Sequence, residues 1–182
     1  MNKLEITPQG QTFVNDVRVI IEQGRKMAYA AASQAAIVTY WNVGRRIVEE
    51  EQDGKSRAEY GKQLIPMLAE QLTTEYGTGY GKRNLAYYRQ FYLIFKDWEI
   101  LHTRVQNLTW SHIRRVLSVT NSEARLWYLS AANNDRWSVD TLDRNISTQY
   151  YERRLAAQLP ANPSDLPQET DKDPMGSRAK LV

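Results

Sequence analysis

From Phe13 to Val48, apolar residues recur at steps of three and four: Val14, Val17, Ile21, Ala28, Ala31, Ala35, Val38, Trp41 and Val48. That period is the period of an α-helix that buries one face. A single straight helix over this stretch spans on the order of 55 Å at 1.5 Å per residue. A compact chain of this length has a radius of gyration of only about 16 Å. The preferred reading is therefore a break, placed near Gly24. The alternative is a helix that projects from the body and packs against a partner.

The pattern stays helical beyond a polar link, "EEEQDGKSRAEYG", in which Asp53-Gly54 is the turn signal. A second helix is predicted from about Arg57 to Glu75, with Tyr60, Leu64, Leu68 and Leu72 as its stripe. Pro66 lies inside it and removes the bond to the carbonyl of Lys62, which predicts a kink or a late start. Gly77 suits the residue just past its C-terminus. A third helix runs from about Lys82 to Asp97, and "EILHTRVQNLTW" after it reads as irregular or short. Thr109 or Ser111 caps a helix from about Trp110 to Val119. Thr120 and Glu123 have capping-box spacing ahead of a helix to about Ala132. Ser138 caps a last helix to about Gln158, with Val139, Leu142, Ile146 and Tyr150 inward.

No stretch alternates as a strand, and there is no internal repeat. The fold class is all-α. From Leu159 onward the chain holds four of its six prolines and no periodicity, which predicts a disordered tail or linker. The predicted organisation is a helical domain over residues 12–158 and a Pro-rich tail over 159–182.

Composition adds bounds. The 182 residues are 42% hydrophobic and 25% charged, enough for one domain with a core plus a tail. The net charge of +3 and pI near 9.1 are too mild to imply nucleic acid, so only the placement of charge bears on it. The absence of cysteine excludes disulfides and thiolate metal sites and fits a cytoplasmic chain. His102 and His112 have no carboxylate at ligand spacing, so no metal and no cofactor are expected. The start, "MNKLEITPQG", has no apolar signal region. Ala28–Trp41, the most apolar stretch, is broken by Ser33, Gln34 and Thr39 and falls short of the ~20 residues of a membrane span. No membrane and no small-molecule substrate are expected as partners.

The stretch "TEYGTGYGKRNLAYYRQFY" carries the most specific local signal. A Walker loop ending at Gly81-Lys82 needs glycine at position 76, which is Tyr76, and Ser or Thr at position 83, which is Arg83. The dinucleotide fingerprint fits Gly77 and Gly79 but needs glycine where Lys82 stands. Both motifs also need a preceding strand, and a helix precedes this loop. A helix-turn-helix at about residues 57–97 fits better: an amphipathic helix, a Gly-rich turn, and a second helix at once. On a 100° wheel, Leu85, Tyr88, Phe91, Tyr92, Phe95 and Trp98 share one face. Lys82, Arg83, Ala86, Arg89, Gln90, Leu93 and Lys96 share the other, which has four cations, a glutamine and no acid. The cations begin at the helix N-terminus, the end that a recognition helix turns toward base edges and phosphates. Lys82, Arg83 and Arg89 are the candidate phosphate or guanine contacts, with Gln90 or Asn84 reading a base edge and Tyr87 as an exposed ring. A solvated face or a protein interface explains the same pattern, and Leu93 suits the latter.

Other charged runs have plainer readings. In "WNVGRRIVEEEQ", Arg45 and Arg46 are spaced to pair with Glu49, Glu50 and Glu51 along one helix. In "TWSHIRR", Ser111 and His112 are neighbours and point about 100° apart, so they are no nucleophile–base pair. Trp110 reads as core. His112 with Arg114 and Arg115 has phosphate-binding chemistry, but capping and packing are the preferred roles. Arg153 and Arg154 suit the C-terminal end of the last helix. A nuclease needs clustered carboxylates on strands to hold a metal, and no such set is found.

The run "YWNVGRRIVEEEQDGKSRAEYGKQLIPMLAEQLTTEYGTGYGKRNLAYYRQFY", followed by "LTWSHIRRVL" and "WSVDTLDRNISTQYYERRL", resembles the N-terminal domain of the YhcG family, bacterial predicted nucleases of the PD-(D/E)xK class. The resemblance covers roughly residues 12–158. It implies a helical domain with a helix-turn-helix, placed ahead of a C-terminal nuclease domain. The family's turn usually reads Gly, Phe, Ser, Arg, Arg, Asn, Leu. Here it is Gly79, Tyr80, Gly81, Lys82, Arg83, Asn84 and Leu85, so Gly81 stands where a capping serine is usual. "DKDP" at Asp171–Pro174 resembles the entry to the nuclease domain, and "MGSRAKLV" then departs from it. The resemblance thus implies a truncated, decayed or stand-alone member.

The expectation is a DNA-binding or targeting domain of a YhcG-like nuclease, itself non-catalytic because the nuclease domain is missing. The alternative is a protein-interaction or oligomerisation module. In that reading the N-terminal helix pairs chains as a homo-oligomer, and the outer face of the 82–97 helix docks a partner.

Overall fold

The computed structural model describes residues 8–53 and 58–158, and among these every regular element is helical. The expected tail at 159–182 and the turn at Gly54 lie outside the described residues. In chain order the helices are α1 (Pro8–Asp53), α2 (Ala58–Tyr76), α3 (Lys82–Ile94), α4 (Trp98–Arg104), α5 (Trp110–Leu117), α6 (Ser122–Asn134), α7 (Val139–Ser147) and α8 (Tyr150–Gln158). A single 3₁₀ turn, Thr78–Tyr80, joins α2 to α3. No helix among the described residues is long and apolar enough to cross a membrane.

The expected break at Gly24 is absent. α1 is one helix of 46 residues, about 69 Å long. One glycine costs a helix only about 1 kcal/mol relative to alanine. Around Gly24 that cost is offset by the Glu22–Arg25 ion pair at 3.0 Å and by the alanine-rich turns that follow. The second half of α1 forms the spine of the molecule. α3 packs along it, and the fit is closest at Gly44, where a Cβ would stand 2.0 Å from the carbonyl oxygen of Tyr88. Gln34 marks where α1 enters the body: its side-chain amide donates to the carbonyls of Val105 and Leu108 at 2.8 and 3.3 Å.

Two buried clusters meet along this spine. The larger joins Ile37 and Trp41 of α1 to Phe91 of α3, Ile113 and Val116 of α5, Leu129 of α6 and Leu142 of α7. The smaller joins Ile47, Leu64, Leu85 and Tyr88, and it seats α2 on α1 and α3. The Tyr40 and Tyr88 rings stack at 4.2 Å, and Trp110 closes on both. Trp110 thus packs as expected, although it is only half-buried. Trp41 Nε1 donates to Phe95 O at 2.7 Å and ties α1 to the end of α3.

Other expectations need correction. α2 starts at Ala58 and runs through Pro66, so there is no late start. α3 ends at Ile94. Asp97 then caps a separate helix, α4, by accepting from Ile100 N at 3.1 Å; at 7 residues it is short, as expected of this stretch. The cap of α6 is Asn121, which accepts from Ala124 N at 2.9 Å. Thr120 lies outside the helix, because Arg125 holds the carbonyls of Val119 and Thr120 at 2.6 and 3.2 Å. Ser138 caps α7 as expected, by accepting from Thr141 N.

The predicted last helix is in fact two. Gln149 takes a φ of 51° between α7 and α8. The buried Tyr128 hydroxyl fills the break: it accepts from Tyr151 N at 3.0 Å and lies 3.2 Å from both Asn145 O and Glu152 Oε2. One side chain from α6 therefore serves both helix ends. Leu142 is fully buried, whereas Tyr150 is 40% exposed rather than inward.

Candidate nucleic-acid interface

The glycine-rich stretch forms a compact joint. Gly77 has φ 88°, a conformation that L side chains rarely adopt, and it ends α2 with its N–H on Thr73 O at 3.0 Å. Tyr88 OH donates to Gly79 O at 2.9 Å and anchors the turn to the core. Burial pushes the Tyr88 hydroxyl well above the usual phenol range, so it acts as a fixed donor. Gly81 stands at the N-cap of α3 and makes no side-chain cap bond, as its lack of a side chain dictates. Asn84 instead braces the turn, with Nδ2 donating to Thr78 O at 3.3 Å.

The six candidate residues of α3 fall into two groups. Lys82 and Arg83 are exposed at its first turn. Tyr87 is half-buried rather than fully exposed, with the Arg83 and Arg114 guanidinium carbons 5.8 and 4.7 Å from its ring centre. Arg83 first, and then Arg114, hold its hydroxyl below the usual phenol range by hydrogen bonding. Asn84, Arg89 and Gln90 are engaged inside the protein. Arg89 Nε lies 2.8 and 2.7 Å from the two carboxylate oxygens of Glu51, on the last turn of α1. Gln90 Nε2 donates to Leu117 O at 3.4 Å, at the end of α5. The outer face of α3 has no acid of its own, but α1 brings one to it. Arg45 and Arg46 do pair with Glu49 and Glu50 as expected, which leaves Glu51 for Arg89.

What α3 loses in Arg89 and Gln90, α5 supplies. Arg83 and Tyr87 line a cleft of about 480 Å³ with Ser111, Arg114, Arg115 and Ser118. Three arginines thus converge from two helices. Arg115 reaches Asp143 of α7 at 3.1 Å, with both side chains about half exposed. Arg114 stacks over Tyr87, and its Nε is buried with no acceptor among the described residues. Guanidinium forks beside serine hydroxyls match the oxygens of a phosphate diester. In the sequence these residues give only the pair of arginines in "TWSHIRR", and nothing there shows that α5 faces Arg83.

His112 holds α5 in place. It is buried and neutral in chemistry: Nε2–H donates to Trp137 O at 2.9 Å, and Nδ1 accepts from Thr109 N at 3.1 Å. Burial pushes its pKa below the usual histidine value, opposed in part by the Trp137 carbonyl. Capping and packing are therefore its roles, as the sequence suggests. Among the described residues no three His, Asp or Glu side chains gather as a metal centre requires.

A profile of the DUF1016 N-terminal domain matches residues 16–153. The Escherichia coli (strain K12) protein named "Putative nuclease YhcG" is 33% identical over 193 aligned positions, which cover 85% of this chain and 52% of that protein. The chain thus spans about half the length of the curated relative it matches. No solved structure matches. The chain belongs to the DUF1016 N-terminal domain family.

Proposed function

We propose that this domain binds DNA, as the docking part of a nuclease-type protein, with α2, the glycine turn and α3 working as a helix-turn-helix. The cutting chemistry then lies outside the residues described here. The observation that carries this reading is the arginine cleft between α3 and α5. Lys82 and Arg83 approach the duplex at the start of α3, Arg114 takes a backbone phosphate beside them, Arg115 does so by exchanging its exposed pair with Asp143, and Tyr87 orients the Arg83 and Arg114 guanidiniums. Phosphate contacts of this kind fix register on DNA and carry no base sequence themselves. Asn84 and Gln90 read bases only by giving up their present bonds, so sequence preference in this reading is weak. The kinship to a protein named for nuclease activity supports the same direction.

The test is fluorescence anisotropy of a labelled random duplex of ~30 base pairs, titrated at several salt concentrations. Each phosphate contact contributes about 0.9 to the slope of log affinity against log salt. Arg83→Ala/Arg114→Ala is expected to flatten that slope by about 2. Arg89→Ala is expected to leave it nearly unchanged, since that guanidinium already serves Glu51. A protein that ignores duplex at low salt overturns the proposal and leaves a protein partner as the reading. Loss of binding through Arg89 alone overturns the assignment to the cleft.

A further inference from the structure

The N-terminal half of α1 leaves the body with its apolar side chains uncovered: Phe13 is 68% exposed, Ile20 66% and Met27 74%. At 100° per residue these belong to one stripe from Phe13 to Asn42, about 43 Å long. Its one acid, Asp16, stands at the edge, 20° from Met27 on the wheel, while Arg18, Glu22 and Lys26 lie on the opposite side. The stripe is self-complementary when run against itself in reverse. One two-fold point, between Met27 and Ala28, sets Gly24 opposite Ala31, Ile20 opposite Ala35 and Val17 opposite Val38. Bulk meets small side chains near the middle, and Phe13 at the far end falls opposite Asn42. There an open apolar groove of about 740 Å³ waits, lined by Val43, Leu64, Leu68 and Leu72 between α1 and α2. A Cβ at Gly24 would meet nothing within the chain, so the centre of the stripe is open to close approach.

We propose that two copies of this chain pair through α1 in antiparallel register about the Met27–Ala28 point, each inserting Phe13 and Val17 into the groove of the other. The parallel alternative sets Phe13 on Phe13 and leaves both grooves unfilled. The occupant is a second copy because the stripe matches its own reverse in spacing and in size, with charge confined to its edge at Asp16 and to Arg46 and Glu50 at the groove. This pairing stands apart from the DNA reading, since the arginine cleft lies on α3 and α5.

Sedimentation equilibrium on the full chain tests it. The expected mass is twice 21.1 kDa at tens of micromolar. Ile20→Glu/Met27→Glu is expected to raise the dissociation constant by about a hundredfold or more, because it buries unpaired charge. Those positions are exposed in the single chain, so its circular dichroism and melting at low concentration should not change. The chain has no cysteine, so single cysteines report the register. Ala28→Cys should form a disulfide-linked dimer under mild oxidant, and Phe13→Cys should not. A mass of 21.1 kDa at every concentration overturns the pairing. Cross-linking at Phe13 as fast as at Ala28 overturns the antiparallel register.

Discussion

The two halves of α1 have the same apolar period and opposite surroundings. Both repeat apolar residues at threes and fours, and both carry several valines. Ile37, Trp41, Ile47 and Val48 are buried under α3 and its neighbours, whereas Phe13, Ile20 and Met27 face outward. Helical period shows that a face is apolar. It does not show which element covers that face, or whether any element of the same chain does. The difference is made by α3, which arrives from far along the chain and lies only against the second half.

Glycine gives the sharpest way to break this comparison. Gly44 and Gly24 sit in the same helix, but only Gly44 touches another. Gly44→Ala puts a Cβ into the backbone of Tyr88, which cannot swing aside as a side chain tip would. The expected loss is about 3 kcal/mol or more, read from urea unfolding. A loss below about 1 kcal/mol would mean that α1 and α3 cross more loosely than this geometry shows.

A smaller effect separates the body from the projecting arm by pH. His112 is held neutral in the body by burial, and the arm has no histidine. Its folded pKa is lowered, so its contribution is complete above the unfolded value of about 6.5 and is lost as pH falls below that toward the folded value. Protonating Nδ1 removes the acceptor of Thr109 N–H, a loss of about 1 kcal/mol. Melting temperature should therefore drop by a few degrees, about 2–4 °C per kcal/mol for a chain of this size, between neutral and mildly acid pH. His112→Phe should have lower stability at neutral pH and a flatter profile over this range. A wild-type profile flat below pH ~6.5 would remove His112 as the sensitive group.

The smallest change is at Gly24. With open space around it, Gly24→Ala is expected to stabilise the helix by about 0.5–1 kcal/mol in dilute protein. Circular dichroism melts will show the gain. A loss instead would mean that another surface already approaches the arm closely.

The candidate site repeats the lesson on a smaller scale. The turn was legible, because Gly77 must take a positive φ after a helix and the basic pair follows at the next helix start. The wheel sorted the buried face of α3 correctly at Leu85, Tyr88, Phe91 and Phe95. It did not show that Glu51 neutralises Arg89 from another helix, or that Gln90 reaches the end of α5. A wheel counts the charges of one helix, and ion pairs between helices lie beyond it.

Local physics thus determined the helices, the glycine joint, the Ser138 cap and the i, i+4 ion pairs of Arg45 and Arg46, because each depends on residues a few positions apart. Tertiary structure decided the rest. It split the last helix around the Tyr128 hydroxyl, and turned Arg114 and Arg115 toward Arg83 to form the cleft. Those outcomes depend on groups far apart in sequence meeting at bonding distance, and only the packed chain sets that distance.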